Sequence, residues 1–236
     1  MCRMVGVISK TEVEIKDWLP GLEDQARNGK KNPHGDGYGI AFYKDGTLHM
    51  RREISPVWER KTDFDNDRSK LVILHARKAS RGGITLDNVH PFSSKLDDEN
   101  LVFCHNGTIK DIEEVNGDIP SEDITDSKVF FEIFLKKFEM TGDIVTSVLE
   151  TIRTIRDNCR DITSMNSFFS DGKRLIAVRY CLKNEDYYRM GYRELGGNGY
   201  AITTEEYSGY GTDDWTWLEN RTVNVFTPDS LKTFTP

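Results

Sequence analysis

The sequence predicts an α+β fold in which antiparallel sheets are covered by helices. Short segments of strand character recur along the chain, and two pairs of them flank a turn signal, Asp45-Gly46 and Asp171-Gly172. The amphipathic helices fall in one or two blocks, whereas a parallel doubly wound sheet needs a helix between successive strands. No repeat and no Pro/Gly/Ser-rich linker divides the 236 residues, so we expect one domain over residues 1–236.

Composition and charge argue against two classes of partner. The chain has 39 acidic and 32 basic residues and a formal net charge of −7, so we expect no nucleic-acid partner. No apolar run approaches the ~20 residues of a membrane span, and the N-terminus lacks a signal-peptide pattern. We therefore expect a cytoplasmic protein without a membrane partner, whose four cysteines stay reduced.

The strands are predicted in chain order. The apolar run Cys2–Ser9 predicts the first strand. A hairpin follows, because Tyr38–Tyr43 and Thr47–Arg51 flank Lys44-Asp45-Gly46. Two short apolar runs typical of buried strands follow, at Leu71–His75 and Leu101–His105. A second hairpin is predicted around Asp171-Gly172, between Ser164–Ser170 and Arg174–Cys181. The last two predicted strands are Tyr200–Thr204 and Thr222–Phe226.

Two helices are predicted from apolar residues spaced three and four apart. One apolar face runs from Val129 to Phe138, and the other runs from Ile144 to Ile155 with Asp143 as the N-cap. Both faces are interpreted as core. The segment Thr11–Arg27 is predicted as a third helix, interrupted near Pro20.

Cys2 is a candidate nucleophile because of its position after Met1. Removal of Met1 would leave a thiol and a free α-amino group on one residue. An α-amino group has a pKa near 8, so it can serve as a base close to neutral pH. A nucleophile that uses the chain's own amine as its base is one solution to acyl transfer.

Two further segments combine glycine or arginine with strand ends. His34–Ala41 has three glycines in five positions, which suits close backbone approach to a ligand or simply a turn entering a strand. It matches no phosphate-binding pattern. In His75–Gly83, Arg77 stands at the mouth of a strand, where it can clamp a carboxylate or form a surface ion pair.

Three more segments have an equally plain alternative. In Asn88–Phe92, His90 is interpreted as a hydrogen bonder in a loop. In Phe103–Ile109, an Asn side chain beside a glycine N–H has the form of an oxyanion hole, although Asn-Gly alone more often marks a turn. In Thr125–Ser127, either Thr125 or Asp126 can be an N-cap.

These motifs stand in a fixed order: CRxxG, HGDGYGIAFY, HARKAS, NVHPF, HNGTI and TDS. Together they resemble the class II glutamine amidotransferases, which are N-terminal-nucleophile (Ntn) hydrolases. The likeness is strongest to the stand-alone members that begin CRxxG, a group that includes the amidohydrolase of ergothioneine biosynthesis. The motifs cover residues 2–127, and the likeness continues more loosely to Tyr200–Glu205.

The resemblance implies a four-layer αββα fold, with two antiparallel sheets between helical layers. It implies that Met1 is removed, that Cys2 is the nucleophile and that its freed α-amino group is the base. The other implied site residues are Asn106 and Gly107 for the oxyanion hole, Arg77 for the α-carboxylate of glutamine, Asp126 for its α-amino group, and Arg3 (which places the N-terminal strand), His105 and Asp36 as further candidates.

The implied chemistry is hydrolysis of a side-chain amide through a γ-glutamyl thioester, with no metal or organic cofactor. The chain departs from the family around Arg77, where members with a sugar-phosphate acceptor often carry Trp and a Thr-His pair. Here those positions read Lys78, Ser80 and Arg81. A γ-glutamyl amide or another γ-glutamyl compound is therefore an alternative substrate. No role is assigned to Thr204-Glu205-Glu206, which replaces the more usual Ser-Glu-Pro.

Three hypotheses follow from this resemblance. The first is a free-standing amidohydrolase acting on glutamine or a γ-glutamyl amide. The second is a glutaminase subunit that supplies ammonia to a separate synthetase, since no acceptor domain is predicted. The third is a non-catalytic sensor of a γ-glutamyl amino acid, which would retain Met1.

Overall fold

Two antiparallel sheets pack face to face, and helices cover the outer face of each sheet. The computed structural model describes residues 2–31, 33–116, 124–206 and 215–236. The predicted fold class, a four-layer αββα sandwich, is confirmed by this arrangement. None of the helices in these ranges is both long and apolar enough to cross a membrane.

Strands outnumber helices in the described ranges. The strands are β1 (Arg3–Glu14), β2 (Tyr38–Lys44), β3 (Thr47–Glu53), β4 (Arg68–Ala76), β5 (Phe92–Leu96), β6 (Glu99–Ile109), β7 (Ile162–Ser170), β8 (Leu175–Arg179), β9 (Gly191–Glu194), β10 (Gly199–Thr203), β11 (Thr216–Trp217), β12 (Thr222–Thr227) and β13 (Ser230–Phe234). The α-helices are α1 (Leu19–Asn28), α2 (Ile112–Asn116), α3 (Asp126–Thr141) and α4 (Ile144–Asn158). The strand order is β11-β9-β10-β1-β4-β2-β3 in the first sheet and β13-β12-β8-β7-β6-β5 in the second.

Strand β1 shows how the sheets create separate apolar layers. Met4 and Ile8 belong to the cluster between the two sheets, whereas Val5 and Val7 belong to the cluster under α1. Burial on both faces explains why this segment reads as a continuous apolar run. The outer face of the second sheet and the helices on it share a third cluster, which includes Phe103, Phe130, Phe134, Ile152 and Phe169.

Both predicted hairpins and both predicted helices are confirmed. Asp45 and Gly46 have φ angles of 52° and 74°, the backbone that a two-residue turn between β2 and β3 requires. The carboxylate of Asp171 accepts hydrogen bonds from the backbone N–H groups of the next turn residues, between β7 and β8. Asp143 caps α4, because its side chain accepts a hydrogen bond from the N–H of Thr146.

The predicted helix over Thr11–Arg27 is wrong in its first part. Strand β1 continues to Glu14 and, after a register shift, pairs Val13 with Ser69 of β4. Helix α1 begins only at Leu19, so Pro20 lies in its first turn instead of interrupting it. Proline is tolerated there because the first N–H groups of a helix have no intrahelical partner. Pairing with β4, a long-range interaction, therefore decides the conformation of residues 11–14.

Strand register brings three chain segments to one end of the sandwich. In the first sheet, Arg3 at the start of β1 pairs with Ala76 at the end of β4. Residue 2 therefore lies beside the segment that follows β4. In the facing sheet, β6 carries Asn106 and Gly107. The candidate site lies where these segments meet.

Candidate active site

Cys2 is held against the facing sheet by a backbone hydrogen bond. Its N–H donates to Oδ1 of Asn106 over 2.8 Å. Its Sγ lies 3.9 Å from the carbonyl oxygen of Lys78, in the segment after β4. The nitrogen that bonds to Asn106 is the atom that becomes the α-amino group when Met1 is removed.

Asn106 has a free donor in a buried position. Because a backbone N–H can only donate, the atom facing Cys2 must be the amide oxygen, which fixes the orientation of the Asn106 amide. Its Nδ2 is buried and has no hydrogen-bond partner among the described residues. An unpartnered buried donor costs about 1–3 kcal/mol. This N–H group is therefore free to bind an acceptor on a ligand beside Cys2.

Asn106 and Gly107 lie within strand β6, so the alternative interpretation as a turn is wrong. They pair with Asn166 and Met165 of β7. A Cβ at position 107 would collide with the backbone oxygen of Ser164 and lie 2.6 Å from Nε2 of His105. The glycine is therefore needed for β6 to approach β7, whatever its N–H does. Its predicted part in an oxyanion hole stays a prediction.

Arg77 presents a buried cation to the site. Its Nη1 donates to the carbonyl oxygen of Gly83 (3.1 Å) and its Nη2 to that of Arg81 (3.3 Å). The segment after β4 thus curls around the guanidinium and orients it. Burial lowers the pKa of Arg77, while the acidic groups of Cys2 and Asp36 oppose that shift. Carbonyl oxygens do not neutralise the cation, so the site favours an anionic ligand.

Asp36 positions the segment that carries Arg77. Its Oδ2 accepts a hydrogen bond from the N–H of Ala79 (2.8 Å), and its own N–H donates to the carbonyl of Arg77 (3.0 Å). The N–H of Arg77 in turn donates to Gly37 (2.7 Å). The structure therefore gives Asp36 contacts with backbone, and this residue does not line the pocket beside Cys2.

Asp126 is the first residue of α3, and Thr125 is the N-cap. Its Oδ2 accepts from the N–H of Ile109 (2.8 Å) and its Oδ1 from that of Ser127 (3.0 Å). A carboxylate has about four lone-pair positions, so this one can still accept from an ammonium group. Asp126 lines the same pocket as Cys2 and Arg77. The cation and the carboxylate that are predicted to bind an amino acid, Arg77 and Asp126, therefore line the same pocket.

The His105 side chain links β6 to neighbouring elements that carry residues of the pocket. Its Nε2 must donate to the carbonyl oxygen of Ser164 (3.0 Å), because that oxygen can only accept. Burial lowers the pKa of His105, so its Nδ1 is an acceptor, and the hydroxyl of Ser127 donates to it over 2.9 Å. The ring thereby ties β6 to β7 and to the start of α3. The sequence pattern indicated His105 only as a candidate and assigned no role to Ser127, the last residue of the TDS motif.

Arg3 contacts a carboxylate to which the sequence pattern assigned no role. The Arg3 side chain is 1% exposed, and its Nη2 lies 2.7 Å from Oε2 of Glu205. Glu205 also accepts from the N–H of Lys30 (3.0 Å), while Arg3 donates to the carbonyl of Lys30 (2.5 Å). Nearby, Thr204 accepts from the N–H of Met4 over 3.0 Å. These contacts join the start of β1 to the segments around Lys30 and Glu205. The role of Arg3 in placing the N-terminal strand stays a prediction.

We expect Glu205→Ala to lower the free energy of unfolding by about 3 kcal/mol, because it leaves the buried Arg3 cation unpaired. Urea denaturation at pH 7 measures the change. The matched control is Glu206→Ala, since Glu206 is exposed and its loss should change stability by no more than about 0.5 kcal/mol. Equal effects of the two substitutions would contradict the predicted importance of the Arg3–Glu205 pair.

Several histidines are buried in the neutral form. Burial, followed by the charge of Arg3, lowers the pKa of His34 to about 3. Burial also lowers the pKa of His75 to about 3, with a hydrogen bond to the carbonyl of His105 opposing the shift. In an unfolded chain a histidine has a pKa of about 6.5. Between these values the unfolded chain binds more protons than the folded one, so stability rises with pH.

We therefore expect the protein to lose stability as the pH falls from 6.5 to 5. His34 and His75 should each contribute about 2 kcal/mol of that loss. Urea denaturation at pH 7 and pH 5 measures it. His34→Gln should reduce the pH dependence, whereas His49→Gln, at an exposed position, should leave it unchanged. Equal stability of the original protein at the two pH values would contradict this prediction.

The predicted site residues converge on one pocket, with three exceptions. Asp36 and Arg3 lie outside it, in supporting contacts with the backbone and with Glu205. Asn106 does not line it either, but its side chain contacts the backbone of Cys2, which does. The free space beside Cys2 is about 20 Å³, roughly the volume that one water molecule needs. A roomier cavity of about 350 Å³ opens beside Tyr187 and Glu205, but it does not include Cys2. Within the described ranges, no three His, Cys, Asp or Glu side chains are placed to ligate a metal ion.

The chain is similar in sequence to proteins from other organisms. An uncharacterized protein of Methanocaldococcus jannaschii is 28% identical over 256 residues, which covers 96% of this chain and 69% of that protein. The Escherichia coli protein named "Putative glutamine amidotransferase YafJ" is 29% identical over 194 residues, covering 78% of this chain and 74% of its own length.

A solved structure has the same fold. The glutamine phosphoribosylpyrophosphate amidotransferase of B. subtilis superposes with a TM-score of 0.70 at 15% identity, covering all of this chain and 49% of that one. The family model of the class-II glutamine amidotransferases matches residues 1–187, which include every residue of the pocket. The chain therefore belongs to the class-II glutamine amidotransferases.

Proposed function

We propose that this protein is a free-standing, single-domain cytoplasmic amidohydrolase over residues 1–236. In this proposal it hydrolyses the side-chain amide of glutamine or of a related γ-glutamyl amide and belongs to the stand-alone CRxxG group. The observation that carries the proposal is the contact between Cys2 and Asn106. One atom of the Asn106 amide holds the future α-amino nitrogen, and the other is a buried donor without a hydrogen-bond partner among the described residues.

The proposed reaction needs only groups on this chain and a water molecule. After Met1 is removed, the α-amino group of Cys2 takes the thiol proton, and the thiolate attacks the amide carbon. Nδ2 of Asn106 and the N–H of Gly107 stabilise the oxyanion. The ammonium of Cys2 returns the proton to the leaving nitrogen, which departs as ammonia or an amine. Water then hydrolyses the γ-glutamyl thioester and regenerates the thiol.

Recognition of the amino-acid end is proposed to use opposite charges. Arg77 would bind the α-carboxylate, and its orientation by two backbone carbonyls supports this role. Asp126 would bind the α-amino group with the lone pairs that its two backbone contacts leave free. Both residues line the pocket beside Cys2. A substrate with both charged groups would satisfy both side chains at once.

The proposal is tested with 6-diazo-5-oxo-L-norleucine, a reactive mimic of glutamine. We expect intact mass spectrometry to show one adduct, formed with loss of N₂, on a chain that begins at Cys2. Ammonia release from glutamine and a panel of γ-glutamyl compounds should accompany it. An adduct on another cysteine, or neither adduct nor hydrolysis in a chain lacking Met1, would overturn the proposal. Activity that appears only with a co-purified synthetase would favour the glutaminase-subunit hypothesis instead.

A further inference from the structure

His90 lines the pocket beside Cys2, and neither of its ring nitrogens has a hydrogen-bond partner among the described residues. The residue is only 5% exposed. A neutral imidazole always has one donor and one acceptor nitrogen, and leaving them unpaired in a buried position is unfavourable. The expectation that His90 is a hydrogen bonder within its loop is therefore wrong for its side chain.

The other buried histidines differ from His90 in this respect. His34 contacts the carbonyl of Ala26 and the hydroxyl of Tyr187. His105 contacts the Ser127 hydroxyl and the Ser164 carbonyl. His75 contacts the carbonyl of His105 through Nε2. Each of these rings has at least one hydrogen-bond partner, although Nδ1 of His75 lacks one, whereas neither nitrogen of His90 has one in the part of the chain that the structure describes.

The position of the His90 ring is set by its neighbours. Its centroid lies 4.5 Å from that of His75, in an edge-to-face arrangement, and 4.3 Å from that of Phe92. Its backbone is held as well, since Nη1 of Arg52 donates to the preceding carbonyl, of Val89. Gly39 of β2 packs so closely on the His90 carbonyl that a Cβ there would collide with it. The imidazole is therefore preorganised at the pocket wall.

We infer that His90 is a further substrate-binding residue, which donates a hydrogen bond to the α-carboxylate of the substrate beside Arg77. This inference rests on the proposed function. Arg77 lines the same pocket and is the group proposed for the carboxylate. A neutral donor next to this cation can add a second contact to the same anion without adding charge repulsion.

The surroundings keep the imidazole in the form that this role requires. Burial holds the pKa of His90 well below 6.5, and the positive charges of Arg77 and Arg52 act in the same direction. A neutral ring does not repel Arg77. The hydrogen bond should therefore be present across the neutral pH range.

The first experiment compares His90→Phe with His34→Phe in steady-state hydrolysis of glutamine. His34 is the matched control, because it is a buried histidine that does not line the pocket and whose ring contacts are with Ala26 and Tyr187. We expect His90→Phe to raise KM about tenfold to a hundredfold with little change in kcat. His90→Gln, which keeps a donor, should recover part of the loss. His34→Phe should lower the melting temperature without this effect on KM.

Truncated substrates identify the group that His90 contacts. Glutaramate keeps the carboxylate and lacks the α-amino group, whereas 4-aminobutanamide keeps the amine and lacks the carboxylate. We expect the loss in kcat/KM caused by His90→Phe to persist with glutaramate and to disappear with 4-aminobutanamide. The reverse pattern, or an equal loss with both compounds, would overturn the assignment to the carboxylate.

Failure of this inference can be separated from failure of the proposed function. Calorimetric titration with L-glutamate, the expected product, needs no turnover. Weaker binding to His90→Phe than to His34→Phe would support the inference even if hydrolysis were not observed. An unchanged affinity and an unchanged KM in an active enzyme would overturn the inference alone, whereas an inactive chain lacking Met1 would overturn the proposed function.

Discussion

Replacing Cys2 with alanine is expected to lower the rate of amide hydrolysis by about ten-thousandfold or more, because no nucleophile remains to form the thioester. The loss should appear in kcat, measured as ammonia release from glutamine. Cys159→Ala is the matched control. Cys159 is also a buried thiol, but it lies in the core between the second sheet and its helices. Its loss should cost about 1 kcal/mol of stability and leave kcat unchanged.

A second variant separates the thiol of Cys2 from the amine. A chain with one glycine inserted before Cys2 keeps the thiol but has a peptide N–H in place of the free α-amino group. That N–H can still donate to Asn106, as it does in this structure, but it cannot accept a proton. We expect the insertion to reduce kcat nearly as far as Cys2→Ala. Full activity in the extended chain would show that the base is another group.

Replacing Asn106 with aspartate is expected to reduce kcat by about a hundredfold to a thousandfold. Aspartate is similar in shape and keeps an oxygen for the nitrogen of Cys2. It has no N–H to offer in place of the unpartnered Nδ2, and it adds negative charge where the oxyanion would form. Steady-state kinetics with glutamine should show the change in kcat and a smaller change in KM.

The control for Asn106 is Asn224→Asp. Asn224 is also buried in a strand, β12, where its Nδ2 donates to the carbonyl of Ala177 and to the hydroxyl of Thr222. Its substitution should lower the melting temperature but leave kcat unchanged. If Asn106→Asp lowered the melting temperature and left kcat unchanged, its proposed role in the oxyanion hole would be wrong.

Local sequence patterns succeeded where local interactions decide the structure. The turn at Asp45-Gly46 was predictable because few residues adopt two successive positive φ angles. The helices α3 and α4 were predictable because each buries one stripe of apolar residues. The N-cap of α4 was predictable because Asp143 acts on a residue three positions away.

Local patterns failed where a distant strand decides the conformation. Asn106-Gly107 has the composition of a turn, yet both residues continue β6 because β7 pairs with them. The segment after Ser9 continues β1 for the same reason, through β4. A conformational preference of a few tenths of a kcal/mol per residue is easily outweighed by ladder hydrogen bonds and packing.

The sequence by itself determined the fold class, the family motifs and the set of candidate residues, because these depend on residue types and their order along the chain. Only the tertiary structure decided how the candidates divide. Cys2, Arg77, His105, Gly107 and Asp126 line one pocket, and Asn106 contacts the backbone of Cys2. Asp36 and Arg3 support the pocket from outside. The partner of Arg3, Glu205, and the unpaired ring of His90 could not be predicted. Both depend on which side chains the two sheets bring within hydrogen-bond distance, and no spacing along the chain encodes that distance.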